Sequence, residues 1–215
     1  MSTKPDLLGI GLIHRAMRGD VRALAATAAT FAEGRERCTP RRARFLRAHL
    51  DEVCDAIHHH HRAEDDVLWP ALERSAGGAV ELAGLTADHA ELDPVLDRIR
   101  AAAEGFAVAP NDLAAAGAVA RELADLRDLL DEHIEEEERT VFPAIIRYLS
   151  VAEWKDVEAE VRKGGGKPSF VLPWVLRYVG EDELAALRRE AGPALVVMNT
   201  LLGGRYRRRA RVIFG

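Results

Sequence analysis

Two segments, HHRAEDDVLWPAL at residues 60–72 and HIEEEERTVFPAI at residues 133–145, decide the fold of this chain. Each begins with a histidine followed four residues later by a glutamate, and each continues into an apolar stretch with a proline. Side chains four apart lie about 40° from each other around an α-helix. His60 and Glu64 therefore share a helix face, as do His133 and Glu137. We predict a helix in both segments.

The apolar residues around these pairs indicate that the shared faces point into a core. A helix that buries one side carries its apolar residues at spacings of three and four. The stripe around the first pair holds Leu46, Leu50, Val53, Ile57, Val67 and Ala71, and the stripe around the second holds Leu123, Leu126, Leu130, Val141 and Ala144. Both glutamates are thus predicted to be buried.

Two more helices each carry one histidine on an apolar stripe. By itself, a histidine in such a position is more often a hydrogen-bonded core residue than a ligand. Together with the two His/Glu pairs, His14 and His89 become candidate ligands. Their stripes are Leu7, Ile10, Met17 and Val21 for His14, and Leu82, Leu85, Leu92 and Leu96 for His89.

The helix signals predict an all-α fold, an up-down-up-down four-helix bundle with a short helical C-terminal extension. The bundle is assigned to residues 1–149 and the extension with its basic tail to residues 150–215. Thr39-Pro40 and Asn111-Asp112 read as helix starts, and Pro94 is expected to bend or break the third helix. The predicted helices run from Pro5-Asp6 to about Ala32, from Pro40 to about Arg74, from Ala79 to Glu104, and from Asp112 to about Leu149.

The extension is expected to begin with a capping box, Ser150-x-x-Glu153, in a helix ended by glycines at 164–166. Two or three short helices should follow and cover either the bundle or a second subunit, which makes a homodimer through this region a candidate assembly. Five arginines between Arg205 and Arg211 are expected to be surface or interface charge.

Composition limits the classes of function. The formal net charge of −5 gives no general reason to expect nucleic acid binding. The sequence has no apolar run long enough for a membrane span. Two cysteines, Cys38 and Cys54, form no C-x-x-C pattern, so we predict a cytoplasmic protein with reduced thiols.

Two buried glutamates in one small core require a cation, because an isolated buried carboxylate costs several kcal/mol. Imidazole nitrogens combined with oxygens that can bridge favour a two-metal cluster over a single tetrahedral zinc. Iron, manganese and zinc all suit these donors. Two ferrous ions with two glutamates and a bridging hydroxide would leave the site nearly neutral.

Other residues of the two acidic and histidine-rich runs are weaker candidates. His61 lies at the edge of the core stripe, at about 100° from His60, and is a further candidate for the metal shell. Asp93 follows His89 by four residues, but its position before Pro94 suits a capping or turn role equally. The remaining members, His58, His59, Glu135, Glu136 and Glu138, are predicted to face solvent.

The two quoted segments resemble the paired signatures of the hemerythrin-like, or HHE cation-binding, family over roughly residues 7–149. The resemblance implies a four-helix bundle with a di-iron centre, bridged by oxide or hydroxide. Asp93 departs from the oxygen-carrying members, which have a second histidine there, and this argues against simple oxygen transport. The implied metal ligands are His14, His60, Glu64, His89, His133 and Glu137.

Three functions follow from the resemblance. The first is binding of dioxygen or a related small oxidant, such as peroxide or nitric oxide, at the di-iron centre. The second is a regulatory, iron-sensing or oxygen-sensing interaction protein whose metal is structural or sensory. The third is a peroxide-decomposing di-iron enzyme. The residues do not choose among them, so whether the chain is an enzyme stays open.

Overall fold

A computed structural model describes residues 4–215, apart from the side chains of residues 186, 190, 191 and 193. Within this range the chain is helical and contains no strand. A five-residue π-helical turn, Glu64–Leu68, joins α2 to α3. The α-helices are α1 Leu8–Ala32, α2 Pro40–Ala63, α3 Trp69–Ala76, α4 Ala83–Val108, α5 Leu113–Tyr148, α6 Val151–Gly164, α7 Pro168–Leu176, α8 Glu181–Ala191, α9 Pro193–Leu202 and α10 Gly204–Phe214.

The helix starts predicted at Thr39-Pro40, Asn111-Asp112 and Ser150 are confirmed. The Thr39 side chain accepts a hydrogen bond from the Arg42 backbone N–H, with Pro40 in the first turn of α2. Asp112 accepts from Ala114 at the start of α5. Ser150 and Glu153 form the reciprocal capping box of α6. These side chains satisfy backbone donors that a helix leaves without partners in its first turn.

Two helices differ from the predictions. The second helix does not run evenly to Arg74, because it widens into the π-helical turn, where the Trp69 N–H bonds to the Glu64 carbonyl five residues earlier. Pro70 has no N–H to continue the α-helical pattern, which favours this local change. The third helix, α4, begins at Ala83 and passes through Pro94 without breaking.

The four long helices pack side by side around two apolar clusters with a polar layer between them. Contacts join α1 to α5, α5 to α4, and α4 to α2. The larger apolar cluster includes Met17, Ile57, Leu92 and Ile134, and the smaller includes Leu68, Leu85 and Val141. On each helix, the predicted histidine and glutamate positions lie at or near the boundary between the two clusters. Along the chain α1 and α4 pass from the smaller cluster to the larger, while α5, and α2 together with the π-helical turn and α3, pass in the opposite order.

The C-terminal helices pack on the outside of α1 and α2. Phe170, Trp174, Tyr206 and Ile213 belong to the larger apolar cluster. Asp20 of α1 is fully buried, where it accepts hydrogen bonds from His49 Nε2 at 2.6 Å and from the Tyr178 hydroxyl at 2.8 Å. This polar contact ties the segment after α7 to both helices.

The arginine-rich segment differs from the basic tail that the sequence suggested, because it folds as α10. Arg209 is buried and contacts the Glu52 carboxylate and the Ala48 carbonyl of α2. A guanidinium with several donors can satisfy both partners at once, which allows its burial. At least one arginine of this segment therefore fixes α10 to α2. In the described residues, no helix is both long and apolar enough to cross a membrane.

Candidate metal centre

The layer between the two apolar clusters is polar and largely buried. It contains two groups of side chains whose ligand atoms lie within 4.8 Å of one another in each group. Their donors come from α1, α2, the π-helical turn, α4 and α5. The first group consists of His14, His60, Glu64 and Glu137, and the second of His61, His89 and His133.

The first group centres on two imidazoles that face each other. The Nε2 atoms of His14 and His60 are 3.0 Å apart. His14 Nε2 is 3.3 Å from a Glu137 oxygen, and His60 Nε2 is 3.1 Å from a Glu64 oxygen. Donor atoms that share one ion at about 2.1 Å lie about 3 Å apart when they are at right angles. The spacing therefore fits donors arranged around one cation.

The second group is a cluster of three histidines. The Nε2 atoms of His89 and His133 are 3.2 Å apart. The His61 ring stacks on the His89 ring, with centroids 4.3 Å apart, and meets the His133 ring edge-on at 5.2 Å. Three imidazoles in this arrangement can bind a second cation through nitrogen alone.

The two glutamates connect the groups. Glu64 Oε1 lies 3.1 Å from His60 Nε2 in the first group, and Glu64 Oε2 lies 3.6 Å from His89 Nε2 in the second. Glu137 Oε2 lies 3.3 Å from His14 Nε2 and 4.0 Å from His133 Nε2. A carboxylate has two oxygens and can give one to each of two ions. Glu64 faces the two groups with different oxygens, Oε1 towards His60 and Oε2 towards His89, whereas the Oε2 atom of Glu137 is the one near both His14 and His133.

The protein alone does not satisfy these groups. Both carboxylate oxygens of Glu64 and Glu137, and both ring nitrogens of His61, are buried without a hydrogen-bond partner among the described residues. Buried polar atoms in folded proteins are nearly always paired. A cation would supply the missing interaction to all three side chains, so the residues fit a bound metal.

Burial also shifts the protonation of the metal-free site. It raises the pKa of Glu64 to about 8, and together with the Glu64 carboxylate it raises the pKa of Glu137 to about 8. Burial and the neighbouring imidazoles lower the pKa of His133 to about 4 and hold the pKa of His61 well below its usual range. The metal-free site thus favours neutral acids and neutral imidazoles, and a bound cation would displace the carboxyl protons.

An outer set of carboxylates orients three of the histidines. His14 Nδ1 donates to Glu138 at 3.0 Å, His89 Nδ1 to Asp65 at 3.0 Å, and His133 Nδ1 to Asp88 at 3.3 Å. An ionised carboxylate only accepts, so the proton is on Nδ1 and the Nε2 lone pair faces the interior. The hydrogen bond from His14 lowers the pKa of Glu138.

The two further sequence candidates have different locations. The structure buries His61 beside His89 and His133, although helical phase put it at the edge of the stripe. Asp93 is half exposed and accepts a hydrogen bond from His58 Nδ1 at 2.9 Å, so it lies outside both groups. The six predicted ligands all belong to the two groups.

Sequence reasoning missed the outer carboxylates. The sequence pattern predicts that Glu138 faces solvent, and it singles out neither Asp65 nor Asp88. A signal was present, because each lies next to a predicted ligand in the sequence. It is a weak one, since acidic residues in such runs usually form a solvated face.

A helical core with a buried layer of five histidines and two glutamates defines a histidine–carboxylate cation-binding protein. The family comparison agrees with this class. The model of the Hemerythrin HHE cation binding domain matches residues 11–145, which is more than half of the chain, and the protein belongs to this family. The comparisons with curated proteins and with solved structures gave no match.

Proposed function

We propose that this chain is a hemerythrin-like di-iron protein that binds dioxygen or a related small oxidant, peroxide or nitric oxide. Residues 1–149 form the metal-binding part, an up-down-up-down four-helix bundle, and residues 150–215 its helical extension. The opposite order in which successive helices pass the two apolar clusters supports this topology. Cytoplasmic location stays a prediction from the reduced thiols.

The observation that carries the proposal is the pair of unpaired, buried glutamates between two groups of histidines. In this assignment Glu64 and Glu137 would be the carboxylate ligands that the two ions have in common. His14 and His60 hold one ion, while His61, His89 and His133 hold the other. Iron with an oxide or hydroxide bridge suits this mixture of nitrogen and oxygen, and manganese and zinc are the alternatives.

The two ions would have unequal numbers of protein ligands. Two imidazoles and two bridging carboxylates surround the first position, whereas three imidazoles and the same carboxylates surround the second. The first position therefore has one donor fewer. Reduced iron held by these residues would supply the chemistry that binds a small oxidant. His14, oriented by Glu138, keeps its ring nitrogen directed at this position.

The placement of Asp93 changes the expected chemistry. Asp93 counts against oxygen carriage only if it replaces a histidine ligand. His61 instead offers a nitrogen to the same group of histidines, and Asp93 pairs with His58 at the surface. Reversible binding of a small oxidant is accordingly the first function to test, with peroxide decomposition as the second.

Elemental analysis and an optical spectrum test this proposal together. We expect two irons per chain after anaerobic loading, and an absorption band that appears on exposure to air or peroxide. The His61→Ala variant should lose at least half of the iron, whereas His58→Ala, an exposed neighbour in the same run, should keep both ions. One ion per chain in the parent protein would contradict the two-metal assignment. Rapid consumption of added peroxide would favour the enzyme over the carrier.

We further propose that the extension mediates a homodimer through α9. Large apolar side chains of this helix are exposed, with Leu201 at 76% and Val197 at 53%. Exposed apolar patches on one element mark contact surfaces. Leu201→Glu should convert a dimer to a monomer in sedimentation velocity, while Val108→Glu, an equally exposed position on α4, should leave assembly unchanged. A monomeric parent protein at about 50 µM would rule the dimer out.

A further inference from the structure

A cavity of about 380 Å³ lies between α1, α2, α6 and α7, and it reaches the proposed metal centre. His60 and Glu64 form part of one wall, so the cavity adjoins the metal position that has fewer protein ligands. Most of the remaining lining is apolar, including Ile13, Val161 and the rings of Trp154 and Trp174. Its size is at the lower end of the range of about 300–1,000 Å³ typical of ligand cavities.

The extension builds the outer wall of this cavity. Trp154 and Val161 belong to α6, Trp174 belongs to α7, and the glycines of the loop between them close one side. A Cβ at Gly164 would lie 3.3 Å from Cε1 of His59, and one at Gly166 would lie 3.1 Å from Cγ2 of Val171. The glycine run therefore allows the loop to lie close against α2 and α7.

We propose that this cavity binds a compact, uncharged, largely apolar organic molecule next to the metal centre. Water in a space with apolar walls gains few hydrogen bonds, and an apolar occupant would replace it with favourable contacts. Side chains in protein interiors ordinarily fill such space. The His60 side chain is 12% exposed, whereas the side chains of His14 and His89 are 0% and 5% exposed. This difference agrees with access to the metal centre from the side of the cavity.

The position of the tryptophans provides a direct measurement. Two of the three tryptophans of the chain line the cavity, so a bound naphthyl probe should accept their excitation energy. N-phenyl-1-naphthylamine is uncharged and apolar and is the probe to titrate into the iron-loaded protein. We expect saturable energy transfer from tryptophan, displaced by 1-decanol.

A matched pair of variants on α6 tests the location. Val161→Phe fills part of the cavity and should weaken probe binding at least tenfold, whereas Ala159→Phe adds the same ring on the exposed side and should change it less than twofold. Should Val161→Phe fail to fold, Val171→Phe on α7 serves the same purpose. Equal affinity of the filled and parent proteins, or a probe that 1-decanol does not displace, would overturn the proposal.

The position next to a metal rests on the proposed function, and a second readout separates the two claims. In the iron-loaded protein, 1-decanol should shift the absorption of the metal centre in the parent and in Ala159→Phe but not in Val161→Phe. If the protein binds the probe but elemental analysis finds no iron, the di-iron assignment is contradicted and the proposal that the cavity binds an apolar molecule is retained. Two irons per chain without probe binding would remove only the cavity.

Discussion

Glu137→Gln should abolish metal binding and, at the same time, make the metal-free protein more stable at pH 8. The amide cannot carry the negative charge that a bridging ligand needs, so metal content should fall from two ions per chain to none. In the metal-free protein the same change removes a group that is costly to bury. The carboxylate is needed for metal binding but destabilises the folded metal-free protein, so its removal has opposite effects on metal content and on stability.

The pH dependence of the metal-free protein follows from the raised pKa. Burial raises the pKa of Glu137 from 4.5 to about 8. As pH rises above 4.5 the unfolded chain releases this proton while the folded chain keeps it, so folding becomes less favourable until about pH 8. Glu137→Gln has no such proton. Its free energy of unfolding should exceed that of the parent by about 1–3 kcal/mol at pH 8, with little difference near pH 4.5.

Glu138→Gln is the matched control, since it makes the same change one residue further along α5. Glu138 accepts from His14 Nδ1 and does not belong to either group of ligand atoms. Losing an outer partner of a ligand histidine typically weakens metal binding by about 10–100-fold. This variant should still bind two ions at saturating metal. Elemental analysis and urea unfolding at both pH values check the pair, and a Glu137→Gln protein that retains two ions would contradict the bridge.

The main features of the fold could be predicted because they depend on local signals. The apolar stripes and the caps at Thr39, Asp112 and Ser150 act over one or two helical turns. The same periodicity directed His14, His60, His89 and His133 inward. The location of the extension could not be predicted in this way. Its contacts with α1 and α2 join residues far apart in the sequence, such as Asp20 and Tyr178.

His61 and Asp93 show where helical phase alone is insufficient. A helix packed on several sides buries a face wider than one stripe, so α2 can direct His60 towards His14 and His61 towards His89. On α4 the buried face is narrower than the sequence spacing suggests, and it excludes Asp93. Leu85, Leu92 and Leu96 all lie about 20–60° to one side of His89, and Asp93 lies about 40° to the other. That rotation takes Asp93 out of the core.

Gly19→Ala should destabilise the protein, although alanine is the better helix former. An alanine in the middle of a helix gains about 0.5–1 kcal/mol over glycine. At Gly19, however, a Cβ would lie 2.5 Å from Cε1 and 2.6 Å from Cδ1 of the Tyr178 ring. The ring cannot retreat freely, because its hydroxyl donates to the buried Asp20 carboxylate at 2.8 Å.

Overpacking of this kind costs about 1–3 kcal/mol, which exceeds the helix gain, so we expect a net loss of about 1–2 kcal/mol for Gly19→Ala in urea unfolding. Gly11→Ala is the control on the same helix. There a Cβ would lie 4.0 Å from the nearest atom, in Phe142, and stability should rise by about 0.5–1 kcal/mol. The double variant Gly19→Ala with Tyr178→Ala removes the clash, so the two changes should be less costly together than their sum. Additive effects would mean that the Tyr178 ring does not lie against α1, and the docking of the extension through Asp20 would then have to be abandoned.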